Sequence, residues 1–371
     1  MKRLTALLGT LTMSVAAQAA GTLDYDFRGD WTSFDYNDAA VNSAPLTVAD
    51  NTRFYLRTGR IQYKGSLNER FSFVGRLAFN KPAVDTGTSN AKRDALNSSV
   101  EYAYVTDKMS DMFSLSLGKF YTEIGGIEGA MSGADLYSVS PNYGHIGVKT
   151  LTGQNIGVNE SGSKNILYMA GAKAMLTFAE TQNIYLIAAN NVAADPADTN
   201  GNFNQNRGLM GAVWRGGFMD KTLTGLLSYH EASPQKATGI GDSGDKHSFI
   251  SAGLKYDSDI VGSLEYNTTD YKDGLSGKKD TLYSAILKIG YKWEQWTPRL
   301  EIITSEEKTE IAASQTTKFA TVGAILEYKP TAENVRYHVA VASTTQKPET
   351  GDDLTRFDVT VGLRLYGDLL K

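Results

Sequence analysis

Three regularities predict an all-β chain, folded as one sixteen-stranded antiparallel transmembrane β-barrel. Apolar and polar residues alternate with a period of two from Thr22 to Tyr366, with a single long interruption. The connections between alternating segments are short and long in turn. Aromatic residues gather at both ends of the segments, where amphipathic rings settle at headgroup level.

In the first segment Leu23, Tyr25, Phe27 and Trp31 alternate with Asp24, Asp26, Arg28 and Asp30, which gives one apolar and one charged face. In the last, Phe357, Val359, Val361, Leu363 and Leu365 alternate with Arg356, Asp358, Thr360, Gly362 and Arg364. In a barrel the apolar faces meet lipid and the charged faces line a wet lumen. First and last strands of matching character pair to close the ring.

Between them, residues 53–64 place Ile61 and Tyr63 outward and Arg60, Gln62 and Lys64 inward. The upper half of that segment is out of phase, and a bulge near Arg57 accounts for the slip. Residues 71–80 turn Phe71, Phe73, Leu77 and Phe79 outward and Arg76 inward, and residues 97–106 turn Val100, Tyr102 and Tyr104 outward with Glu101 inward. Residues 112–120 set Phe113, Leu115 and Leu117 against inward Ser114 and Ser116. Residues 165–178 turn Ile166, Tyr168, Ala170, Leu176 and Phe178 outward and Lys173 inward. Ten more strands follow, at 183–190, 207–218, 222–231, 247–256, 260–269, 280–292, 298–306, 317–329, 334–343 and 355–366. Residues 183–190 carry Ile184, Tyr185, Leu186 and Ile187 in one run, so a fully buried segment is the rival reading there.

The connections at 65–70, 107–111, 179–182, 219–221, 257–259, 293–297 and 330–333 are short, and each alternates with a longer polar one. That sorting suits a barrel with tight turns at one rim and long loops at the other. Phe218, Tyr256, Tyr291, Trp293, Trp296 and Tyr366 lie beside the short turns, and Trp31, Phe79, Tyr229, Phe249, Phe319 and Phe357 lie toward the long loops. No domain boundary interrupts the pattern, so residues 20–371 read as a single domain.

The amino terminus reads as a cleaved export signal over residues 1–19: basic Lys2 and Arg3, an apolar stretch from Leu4 to Val15, then Ala17-Gln18-Ala19 before the cut. Losing Lys2 and Arg3 from 37 basic residues leaves 35 against 41 acidic ones, a net charge of −6, which excludes a basic nucleic-acid footprint. Cysteine is absent, so an exported chain draws its stability from a core, a ligand or closure within lipid. No stretch after residue 20 reaches the length of an apolar transmembrane helix.

The interruption is residues 120–164, a run of about 44 residues with repeated glycines (Gly125, Gly126, Gly129, Gly133), and so long a connection inside an ordered domain is usually functional. It follows the fifth strand as the third long loop. With sixteen strands and short turns, this layout resembles the general bacterial porins, and the resemblance spans Thr22 to Tyr366. Glu123-Ile124-Gly125-Gly126 is similar to that family's Pro-Glu-Phe-Gly-Gly loop signature, with Thr122 in place of Pro and Ile124 in place of Phe. The chain departs from the family at its end, Asp368-Leu369-Leu370-Lys371, where an aromatic residue is usual. The resemblance implies that residues 121–164 fold inward and constrict the lumen. It also implies a homotrimer in the bacterial outer membrane, in contact with its lipids and lipopolysaccharide.

A constriction works through fixed charge at a narrow section. The loop carries Glu123, Glu128 and Asp135, and inward basic residues on strands one, two, three and six are Arg28, Arg60, Arg76 and Lys173. An acidic loop facing a basic wall sets up a transverse field. The competing reading is that these charges solvate the lumen or pair with Asp24, Asp26, Asp30 and Glu101.

The expected function is passive diffusion of small hydrophilic solutes and ions, without enzyme activity, cofactor, metal or nucleic acid. Alternatives are a channel selective for sugars or for anions such as phosphate, a barrel enzyme, or a surface adhesin or receptor. Phe120, Tyr121, Tyr137 and Tyr143 would serve sugar passage, whereas anion selectivity calls for more basic residues near the loop than alternation reveals. His145, His230, His247 and His338 are scattered, and only His230 and His247, flanking one loop, are placed to approach each other.

Overall fold

A computed structural model describes residues 21–37, 52–83, 92–144, 148–149, 155–156, 166–190, 208–232, 246–274, 276–311, 314–330 and 334–370. Residues 1–19, where the export signal is expected, and most of 145–165, including His145, lie outside the described residues.

Sixteen strands form one closed ring. They are β1 (Gly21–Tyr36), β2 (Thr52–Ser66), β3 (Phe71–Ala83), β4 (Lys92–Lys108), β5 (Phe113–Tyr121) and β6 (Tyr168–Phe178). There follow β7 (Gln182–Ala189), β8 (Leu209–Phe218), β9 (Leu223–Ala232), β10 (Lys246–Asp257) and β11 (Ile260–Lys272). The last are β12 (Lys279–Tyr291), β13 (Trp296–Thr309), β14 (Gln315–Tyr328), β15 (Val335–Pro348) and β16 (Leu354–Asp368). Every neighbour is antiparallel, and β1 closes on β16 from Asp24↔Asp368 to Tyr36↔Arg356. Closure leaves no open edge, which backbone in hydrocarbon requires. No described helix is long and apolar enough to cross a membrane. Outward residues such as Leu227, Leu264, Val322 and Leu363 are exposed along the middle of the wall.

The phase slip in the second strand is a bulge. Arg28 faces Thr58 and Gly29 faces Leu56, so Arg57 is skipped. A second bulge was hidden in the sequence: Arg76 faces Tyr102 and Leu77 faces Val100, so the register skips Glu101. It resets the phase of β4, so Tyr102 and Tyr104 share the inward face with Arg76 rather than pointing to lipid. Ile166 and Tyr168 are also corrected from outward to inward. At that rim the chain turns into the lumen, with the Thr122 N–H donating to Leu167 O at 2.9 Å, and alternation is no longer measured against lipid.

Residues 122–144 form a strap made of α1 (Gly126–Ala130), a 3₁₀ turn (Gly133–Asp135) and α2 (Pro141–Gly144). The strap brings its own core. Ile124 packs with Ile166, Leu167, Leu209, Ala232 and Phe249, while Ile127 packs with Phe120, Ile187, Val213 and Leu226. This explains the blurred alternation of residues 183–190: Leu186 is exposed on the outer face, and Ile187 is buried because its inward neighbour is the strap rather than water. It also corrects the aromatic belts. Phe249 is a strap contact, Phe319 lines an inner cavity, and Tyr366 lies on the inner face beside Arg364. Together the two clusters make one side of the lumen dry.

Candidate functional site: the strap and the inner wall

The strap begins with three backbone conformations that set its course. Glu123 has φ 60°, Gly125 85° and Gly126 65°. Left-handed backbone is cheap only for glycine, so the paired glycines of the loop signature are required by the turn itself. A side chain at Gly126 would also collide with Glu265 Oε1. The close approach lets Glu265 accept from the N–H groups of Ile127 at 2.8 Å and Glu128 at 2.9 Å.

Each acidic residue of the strap is held by partners. Glu123 meets Lys173 at 3.0 Å and Arg215 at 2.7 Å. Glu128 is turned into the strap, accepting from Ser140 N at 3.0 Å and Ser140 Oγ at 2.5 Å, with Lys288 Nζ 3.6 Å away. Burial raises the Glu128 carboxyl above the ordinary range, against the pull of Lys288 and the Ser140 hydrogen bonds. Asp135 meets Arg336 at 2.6 Å and Arg364 at 2.8 Å. Burial pushes its carboxyl up, but these two arginines outweigh burial and hold it below the usual range.

Of the basic wall, only Lys173 meets an acidic strap residue. Arg28 is 2% exposed, pairs with Asp30 at 2.9 Å, and donates to the carbonyls of Ala134 and Leu136 at 3.0 Å each. It is a tether for the strap backbone. Arg60 and Arg76 both approach Glu101 Oε2 at 2.9 Å. The strap therefore faces the wall through Glu123 with Lys173 and Arg215 and through Asp135 with Arg336 and Arg364, of which Arg215, Arg336 and Arg364 stand outside the expected basic set.

Further anchors complete the strap. Ser132 donates to Asp26, Tyr137 donates to Glu327 at 2.8 Å, and the Ser138 N–H donates to Glu301 at 2.9 Å. Lys288 donates to Ser138 O at 3.0 Å, and Asn142 bonds Thr269, Leu282 O and Ser284. Alternation alone marks Arg215, Lys288, Arg299, Arg336 and Arg364 as inward, but only the register and the strap path bring them close to the strap. His230 bonds Thr122 O at 2.8 Å, and His247 packs on Phe249 with ring centroids 4.3 Å apart. Among the described residues no group of three or more His, Cys, Asp or Glu is arranged to hold a metal.

Two cavities flank the strap residues Ala130, Met131 and Ser132. One, of about 530 Å³, is lined by Arg60, Arg76, Tyr102, Tyr121, Tyr168 and Arg364 among others. The second, of about 580 Å³, is lined by Arg215, Lys255, Lys288, Lys292, Arg299 and Arg336, with Asp135, Asp257 and Glu327. A third, of about 310 Å³, lies toward the long loops beside Tyr137, Arg57 and Arg356.

Comparison with known proteins agrees with this geometry. A family model described as phosphate-selective porin O and P matches residues 28–175, which covers most of the first six strands and the strap. No curated protein sequence matches. Among solved structures, the anion-selective porin from Comamonas acidovorans aligns with TM-score 0.65 at 12% identity, covering 94% of this chain and 100% of that one. The outer-membrane channel DcaP of Acinetobacter baumannii gives 0.62 at 10% identity, over 94% and 97%. OmpT of Vibrio cholerae, an outer-membrane protein described in a trimer form, gives 0.59 at 13% identity, over 94% and 100%. At such identities the shared feature is the fold.

Proposed function

We propose that this chain, an outer-membrane porin barrel, conducts small hydrophilic solutes and ions passively past a strap that narrows the lumen. The observation that carries this is the pair of cavities on opposite sides of Ala130, Met131 and Ser132, inside a closed sixteen-strand ring. A strap that filled the lumen would leave no such spaces, and a ring of this size is wide enough for water.

A preference for anions is the second reading. Six basic side chains against three acidic ones line the larger cavity, more basic charge near the strap than alternation alone suggested. The name of the matching family model points the same way. We further propose a homotrimer seated among outer-membrane lipids and lipopolysaccharide, in line with the trimer form described for the Vibrio cholerae protein.

Purified protein in a planar bilayer tests the channel directly. Stepwise conductance of nanosiemens scale, with a reversal potential displaced toward the chloride value in a salt gradient, is the expected result. A silent membrane removes the channel reading, and a potassium-directed reversal removes the anion preference.

A further inference from the structure

The cavity of about 530 Å³ joins two arginines on one carboxylate to a group of aromatic rings. Arg60 Nε and Arg76 Nε both lie 2.9 Å from one oxygen of Glu101, so two guanidinium groups share a single carboxylate. Glu101 is sealed at 1% side-chain exposure, while Arg60 and Arg76 keep 15% and 14%. Asp24, Asp26 and Asp368 also line the cavity, equal in number to Arg60, Arg76 and Arg364; Arg364 holds Asp26 through two nitrogens at 2.7 and 2.9 Å, and Asp24 holds Lys64 at 2.8 Å. Positive charge is thus concentrated where Arg60 and Arg76 share Glu101, within a lining that is balanced overall.

Tyrosines frame these two groups. The Arg76 guanidinium carbon stands 3.6 Å from the Tyr102 ring centroid and 5.2 Å from that of Tyr168. Tyr168 meets Tyr102 edge-on at 5.5 Å and Tyr121 at 6.3 Å. We propose that this cavity is a binding subsite for planar aromatic carboxylates, a solute class that deepens the channel reading and rests on it. Arg60 and Arg76 pair the carboxylate, since a guanidinium fork matches its planar geometry. Tyr102, Tyr121 and Tyr168 pack the ring in the edge and face arrangements aromatic pairs favour. An aliphatic carboxylate gains the arginine pair without the ring contacts, inorganic phosphate likewise, and a neutral sugar gains no ion pair from Arg60 and Arg76.

Isothermal titration of the detergent-solubilised full chain with benzoate, acetate, inorganic phosphate and glucose tests this without requiring conduction. Benzoate binds with a dissociation constant about fivefold below that of acetate, the scale of one or two aromatic contacts. Arg76→Gln weakens benzoate and acetate together. Tyr168→Leu brings benzoate to the acetate level, and Tyr168→Phe restores the difference, with circular dichroism reporting a folded barrel throughout. Benzoate binding no tighter than acetate, phosphate or glucose overturns the proposal, as does benzoate binding unchanged in both Arg76→Gln and Tyr168→Leu. A protein that binds benzoate but never conducts overturns the channel reading instead.

Discussion

Glu123→Gln isolates the charge that joins the strap to the inner wall. Gln keeps the length of the side chain and pays the same conformational cost at φ 60°, so the change is confined to one negative charge. In the parent, Glu123 faces Lys173 at 3.0 Å and Arg215 at 2.7 Å. Removing it leaves two cations without their carboxylate. Breaking a buried pair costs about 3–5 kcal/mol, and the 29% exposure of Arg215 lets water screen part of that, so about 2–3 kcal/mol is expected. The ion path reads the same change. For an ion passing about 7 Å away through water, one unit charge is worth about 0.6 kcal/mol, halved to about 0.3 kcal/mol by screening at 0.1 M salt. Because anion and cation shift in opposite senses, the chloride-to-potassium permeability ratio rises about threefold at 0.1 M and more at 0.01 M. Reversal potentials in a salt gradient measure the ratio, and urea unfolding in detergent measures stability. An unchanged ratio at both salt concentrations refutes the placement of Glu123 at the ion path, whatever the unfolding curve shows.

Arg28→Met removes the tether to Ala134 O and Leu136 O and leaves Asp30 with His338 alone; unfolding at lower urea, by about 2–4 kcal/mol, is expected, with noisier single-channel current. Gly126→Ala forces a side chain against Glu265 in left-handed backbone, so the strap lifts from the wall and hydrogen exchange at the Ile127 and Glu128 amides accelerates while strand amides stay protected. Asp135 has a folded-state pKa below the ordinary aspartate value of 3.8, so its anchoring is complete above that pH and is lost as pH falls through the lower folded value. Its contribution to conductance and melting temperature is accordingly constant from neutral pH down to about pH 4 and lost only below that, and Asp135→Asn abolishes the acid step.

Strand number and the position of the strap were legible because both depend on period and spacing, which survive any choice of partner. The bulge at Arg57 was legible for the same reason: Ile61 and Tyr63 fix one phase and the residues above them break it. The bulge at Glu101 was not, since Val100, Tyr102 and Tyr104 keep an unbroken alternation and the slip is visible only in the pairing of Arg76 with Tyr102. Tyrosine made this worse, being equally at home at a lipid interface and on a wet wall. Phe249 and Ile187 misled in another way. Their inward positions are apolar because the strap lies against them, and a pattern that assumes water inside assigns such residues to lipid or to a featureless core.

The charges themselves were legible as residues but not as partners. Glu128 illustrates the difference: its sequence position is in the loop, yet its carboxylate closes on Ser140 within the strap and faces away from open water. Asp135 and Arg336, 201 residues apart, meet only because the ring brings β15 beside β16 and β1. A strap carried across a barrel must satisfy its backbone carbonyls and carboxylates there or lose several kcal/mol for each one left unpaired, and Arg28, Arg336 and Lys288 meet that need. Matched charges of this kind fix the strap's position and contribute little net field to a passing ion. Asp135, though shared by Arg336 and Arg364, belongs to a chain in which Asp26 and Glu327 offset those arginines and Arg299; the field comes from Arg60 and Arg76 at Glu101 and from Lys173 and Arg215 at Glu123. These lie on β2, β3, β4, β6 and β8 and at the strap's own entry. An acidic strap against a basic wall thus resolves into a strap held by offset pairs and a wall segment where cations share a carboxylate, and the proposed anion preference rests on that local excess rather than on the total.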